Sequence, residues 1–159
     1  MTYEELIDEA SCENIVVKEA PLKNNDGRCF GNKIAIRKDI PTLKKGCVLA
    51  EELGHYYTSA GNILDMDNVL NRKQEYRARL WAYDKRIGLM GIINAFKAGH
   101  DSLYSIADFL DVTEEFLKEA LECYKNKYGV CVSVDRYMIQ FVPNLKVFEY
   151  IPIQFVKKV

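Results

Sequence analysis

Apolar and polar positions change period several times along the chain, and each change marks a predicted element. Residues 2–10 set Leu6, Ile7 and Ala10 on one side at helical spacing, and Thr2 ahead of them is a residue type that caps helices. A short amphipathic helix is expected there. Ile15–Val17 then reads as a strand and Asn24-Asn25-Asp26-Gly27 as a turn. Arg28–Phe30 and Lys33–Arg37 flank Gly31-Asn32, a dipeptide suited to a tight hairpin, so a small antiparallel sheet is expected before the first long helix.

Pro41 and Thr42 open that helix, whose apolar positions Leu43, Cys47, Ala50, Gly54 and Tyr57 follow helical spacing, with Gly61 as a natural stop. A second helix, from about Asn68 to Lys85, carries Glu75, Ala78 and Ala82 on one face. Further helices are predicted over Ile87–Ala98, over Leu103–Leu110 behind Asp101 or Ser102, and from Thr113 to about Tyr128, where Gly129 ends the run. Val130–Val134, Tyr137–Val142 and Lys146–Tyr150 have strand composition, separated by Asp135-Arg136 and Pro143-Asn144 turns. The expected fold class is α+β. An N-terminal antiparallel sheet, a central helix pair, a helix-turn-helix-like region and C-terminal strands divide as residues 1–99 and 100–159, packed as one compact unit.

Composition narrows the function classes. A chain of 159 residues with 48% hydrophobic and 28% charged content can bury one real core. Its net charge of -1 supplies no global attraction to nucleic acid or membrane surfaces. Five cysteines, Cys12, Cys29, Cys47, Cys123 and Cys131, form no C-x-x-C pair, which argues against a disulfide framework or a cysteine zinc site. The acidic start M-T-Y-E-E-L-I-D-E resembles neither a signal peptide nor an anchor, and a cytoplasmic location is expected.

Chemistry concentrates in residues 48–57, V-L-A-E-E-L-G-H-Y-Y. The zinc peptidase signature H-E-x-x-H puts two ligands one helical turn apart with a general base beside the first. Here Glu51, Glu52 and His55 occupy those places, and at about 100° per residue their side chains share one helix face. Glutamate is common on helices, so the spacing alone also suits an ordinary solvated face. The flanking V-L-A and L-G are too apolar for one, and carboxylates in such a setting need a partner or a cation. Lys44, seven residues before Glu51, is too far along the helix to be that partner.

A zinc ion requires a third protein ligand. Glu75, in Q-E-Y-R-A-R-L-W-A-Y, is the candidate, because Ala78 and Ala82 let its helix pack closely on the first; its alternative is an ion pair with Arg79 or Arg72. The E-x-x-H of Glu52 and His55 also matches half of a di-iron bundle site, which needs that motif twice. It appears once. His100 is a spare ligand or oxyanion stabiliser on one reading and a surface or capping residue on the other. Tyr56, Tyr57 and Tyr104 can donate to an oxyanion, but most of ten tyrosines must pack.

The order G-R-C-F-G-N-K-I-A-I, V-L-A-E-E-L-G-H-Y-Y, Q-E-Y-R-A-R-L-W-A-Y, S-I-A-D-F-L-D-V-T-E-E-F-L and a final Y-G resembles the ImmA/IrrE family of metallopeptidases, from about Gly27 to Gly129. The resemblance implies a small zincin-like domain, a zinc cofactor and, as in some members from phages and mobile elements, cleavage of a helix-turn-helix repressor. It makes Glu52 the catalytic base, His55 and Glu75 metal ligands, and puts Glu51 where the family has its first ligand histidine. With Glu51 as third ligand the Zn²⁺ site would be neutral rather than +1, so bound water would be less acidic, and Mn²⁺ or Fe²⁺ would be better accommodated. Two alternatives stay open for Glu51: a ligand, or a side chain turned from the ion.

Residues 105–121 have a helix-turn-helix look. A DNA-reading second helix should open with Arg, Lys, Asn or Gln, whereas this one opens with Thr113, Glu114 and Glu115. No direct DNA binding and no membrane contact are expected. The leading expectation is an endopeptidase acting on one folded protein, a phage or mobile-element repressor, with Lys33–Arg37 as the sheet edge that holds a substrate strand. Behind it stand an inactive module of the same fold that binds the repressor, and a DNA-binding regulator.

Overall fold

A computed structural model describes residues 1–59 and 68–151. Helix α1 (Tyr3–Cys12) starts where predicted, with the Thr2 hydroxyl accepting from the Glu5 backbone and the Glu5 side chain reaching back to Thr2. Strands β1 (Val16–Ala20), β2 (Gly27–Phe30) and β3 (Lys33–Arg37) form a sheet in the order β1-β3-β2. The hairpin of β2 and β3 about Gly31-Asn32 is as expected, and Gly31 adopts φ +57° there. The sheet is mixed rather than wholly antiparallel, because β1 runs parallel to β3.

The order also corrects the expected substrate edge. Lys33–Arg37 is the central strand, paired on both sides, since its Ile34 and Ile36 are the two fully buried side chains of the sheet. The more polar β1 and β2 take the edges.

Helices α2 (Thr42–Thr58) and α3 (Asn68–Arg86) are the centre of the molecule. The predicted stop at Gly61 lies outside the described residues, and α2 ends with Ser59 as its cap. The two helices touch backbone to backbone, for a Cβ on Gly54 would stand 2.2 Å from the Ala78 carbonyl oxygen. Ala78 and Ala82 are wholly buried there. Small residues facing each other bring the axes close, and that contact sets His55 opposite Glu75.

Helices α4 (Gly88–Lys97), α5 (Leu103–Phe109) and α6 (Glu114–Tyr128) follow, with Ser102 and Thr113 as side-chain caps and Gly129, at φ +84°, ending α6. An antiparallel sheet of β4 (Cys131–Val134), β5 (Tyr137–Gln140) and β6 (Lys146–Glu149) closes the chain. One hydrophobic cluster joins Leu6 of α1 and Ile36 of β3 to Leu49, Ile93, Leu117 and Ile139. Arg86 lies inside it; its buried guanidinium donates to the carbonyls of Met1 and Asp111 and packs against Gly46. No described helix is long and apolar enough to cross a membrane.

Candidate metal centre

Glu51, Glu52 and His55 lie on the second half of α2, half-buried, and all line a cleft between α2, α3, α6 and β2. Glu75 reaches the same cleft from α3. His55 Nε2 stands 3.4 Å from Glu75 Oε2, while Arg79 Nε donates to the other oxygen, Glu75 Oε1, at 2.7 Å. The ion pair anticipated for Glu75 therefore coexists with the approach to His55. Lys44 is engaged by Asp26 at 2.6 Å and Lys45 by Glu19 at 2.7 Å, which leaves neither as the counter-ion of Glu51.

The cleft has two arms that share Glu52, His55 and Glu75. One, of about 590 Å³, is lined by Cys29, Phe30, Tyr56 and Gln74. The other, of about 540 Å³, is acidic, with Glu51, Glu115 and Glu119 around Arg79. Burial raises the Glu51 carboxyl from 4.5 to about 7; Arg79 opposes the rise, and Glu119, Glu75 and Glu115 add to it. Glu52 is likewise lifted to about 7 by burial and then by Glu51, while a backbone contact with Cys29 pulls it back. Gly27 gives the closeness of this strand a reason. A Cβ there would lie 2.7 Å from Glu52 Oε1 and 2.6 Å from Val48.

Two donors bound about 2.0–2.1 Å from one tetrahedral ion are about 3.3 Å apart, so His55 Nε2 and Glu75 Oε2 already stand at the edge of such a site. An imidazole and carboxylates that repel one another suit a divalent cation in kind. Among the described residues no three His, Cys, Asp or Glu side chains are grouped tightly enough to hold an ion as they stand. The donors fit a metal in chemistry, and this pair fits it in position.

A family model for the IrrE N-terminal-like domain, peptidase M78, matches residues 10–122. The chain belongs to that family. Peptidases of the IrrE N-terminal-like family are metal-dependent, generally with zinc, and the match takes in β1 to β3, the α2–α3 pair and most of α6. Comparison with curated proteins and comparison with solved structures give no match.

His100 stacks on Phe109 at 4.9 Å between ring centres and lines neither arm of this family member's cleft. Tyr57 stacks on Trp81, and its hydroxyl donates to Glu13 at 2.6 Å; Tyr56 does line the arm bordered by Cys29 and Phe30. Sequence reading missed the contribution of α6, where Glu115 and Glu119 form the acidic wall, and that of Cys29 and Phe30 on β2. The available signal was the i, i+4 spacing of Glu115 and Glu119, two like charges on one helix face.

Proposed function

We propose that the protein is a metal-dependent endopeptidase of the ImmA/IrrE type that cleaves one folded protein, a helix-turn-helix repressor of a phage or mobile element. The observation that carries the reading is the 3.4 Å approach of His55 Nε2 to Glu75 Oε2 in a cleft shared with Glu52. A divalent ion, zinc or in this oxygen-rich set Mn²⁺ or Fe²⁺, supplies when bound the Lewis acidity that activates water and polarises a peptide carbonyl. His55 and Glu75 are the residues that would hold it, with Glu51 as the third donor from the same helix.

Glu52 is the base. Its carboxyl, raised to about 7, takes a proton from water near neutral pH and can return it to the leaving amine. The outer edge of β2 borders the cleft at Cys29–Gly31 and offers backbone groups to an extended substrate strand, which is β-addition. Phe30, 83% exposed at that edge, gives such a strand an apolar contact.

The test compares wild type with Glu52→Gln, both purified without added metal, by elemental analysis and by mass spectrometry of new protein termini in a native bacterial lysate, rich in phage and mobile-element repressors, incubated with each. Both should carry about one equivalent of a divalent ion, and only wild type should generate new termini. Cleavage retained in Glu52→Gln removes the base. A second reading, a module of the same fold that binds the repressor without cutting it, is favoured by Glu51 in the histidine position and by the ungrouped third donor. It predicts repressor binding with no new termini from either protein.

A further inference from the structure

We infer that Arg79 is the positioning residue of the metal centre, fixing which carboxylate oxygen of Glu75 is presented to His55. The two oxygens of Glu75 are distinguished by their partners. Oε1 accepts from Arg79 Nε at 2.7 Å, and Oε2 faces His55 Nε2 at 3.4 Å. A glutamate with no such tie can rotate its carboxylate, present either oxygen, or chelate with both. The guanidinium removes that freedom, since a planar N–H donor in a fixed fork holds one oxygen and aims the other.

Arg79 is itself held in place. Its Nη1 stands 3.9 Å from Glu119 Oε2 on α6, and the same oxygen accepts from the hydroxyl of Tyr83 at 3.0 Å. Tyr83 is 2% exposed and packs edge-on against Phe116, so it is a fixed post. A chain of contacts therefore runs from Tyr83 through Glu119, Arg79 and Glu75 to His55, and it makes α6 a support for the cleft. An exposed i, i+4 pair between Arg79 and Glu75 alone would be a common helix-surface feature of little consequence. What sets this one apart is that its acidic member has a second oxygen turned to a histidine on another helix.

The inference rests on the proposed metal-holding role of His55 and Glu75. Supporting groups behind metal ligands typically account for 10–100-fold in metal affinity. Arg79→Ala in the full chain should therefore weaken Zn²⁺ binding by about 10–100-fold in calorimetric titration, and change the Co²⁺ absorption spectrum by altering the ligand field. Arg79→Gln, which keeps an N–H donor and loses the charge, should recover part of the affinity. Glu119→Gln should weaken binding less than Arg79→Ala, and it serves as the reading should Arg79→Ala fail to fold. Metal-free melting temperatures should stay nearly unchanged in all three, which a merely structural role would not predict.

Wild-type or tighter Zn²⁺ affinity in Arg79→Ala, or in Glu119→Gln and Arg79→Gln together, overturns the inference, because the guanidinium would then compete with the ion instead of aiming its ligand. A wild type that takes up no ion overturns the proposed function itself and this role with it.

Discussion

Gly54→Ala puts a methyl group where α2 and α3 meet. The new carbon would lie 2.2 Å from the Ala78 carbonyl oxygen and 2.9 Å from its carbonyl carbon, distances below any that real Cβ atoms tolerate, and the obstacle is backbone. The helices must part by about 1 Å to restore ordinary contact, and overpacking of this kind costs about 1–3 kcal/mol or somewhat more when no side chain can yield. Replacing a helical glycine by alanine returns about 1 kcal/mol of helix propensity. A net loss of about 2 kcal/mol is expected, which for a domain of this size lowers the melting temperature by roughly 4–8 °C. The same parting pulls Glu75 from His55, so metal affinity should fall more steeply than stability. Urea titration gives the first number from a shift in midpoint at constant m, and calorimetric metal titration gives the second. A Gly54→Ala protein as stable as wild type with undiminished metal affinity would refute the close helix contact and the positioning argument built on it.

Other outcomes follow from the charges in the cleft. Glu51 and Glu52 have folded pKa values near 7 against 4.5, so the metal-free folded state holds extra protons between those values and stability should fall as pH rises from about 5 to 8. Each group contributes at most about 3 kcal/mol to that fall, and Glu51→Gln should flatten the profile of metal-free melting temperature and raise it at pH 8; a profile that climbs with pH would contradict the burial assigned to these carboxyls. If Glu51 is a ligand, Glu51→His should raise zinc affinity and extend activity to lower pH, and Glu51→Ala should weaken metal binding; wild-type affinity in Glu51→Ala removes it from the ligand set. The helix-turn-helix-like pair α5–α6 should give no sequence-selective gel shift at moderate salt, since its second helix opens with Glu114 and Glu115 and turns Glu115 and Glu119 into the cleft; a tight, selective shift would overturn this.

Periodicity made the helices and strands legible, helped by caps and breakers at several of their ends: Thr2, Gly31, Ser102, Thr113 and Gly129 all stand where the chain turns. It could not give the order of the N-terminal sheet. That order is decided by which strand has most to bury, and Ile34 and Ile36 draw Lys33–Arg37 to the centre from the edge position expected of it as a substrate-holding strand. For the site, helical spacing put Glu51, Glu52 and His55 on one face, and Ala78 with Ala82 announced a close neighbour that brings Glu75 to His55. Spacing cannot report what arrives from distant elements. The acidic wall of α6, the Arg79 tie on Glu75 and the exposed ring of Phe30 depend on tertiary placement.

His55 and Glu75 are proposed to hold one divalent ion between α2 and α3. The decisive measurement is the metal content of wild type, His55→Ala and Glu75→Ala, expressed in metal-replete medium and purified in parallel without chelator. Wild type should carry about one equivalent per chain and both variants should lose the ion, with each still folded by circular dichroism. A wild type without metal, or variants that retain a full equivalent, would contradict it.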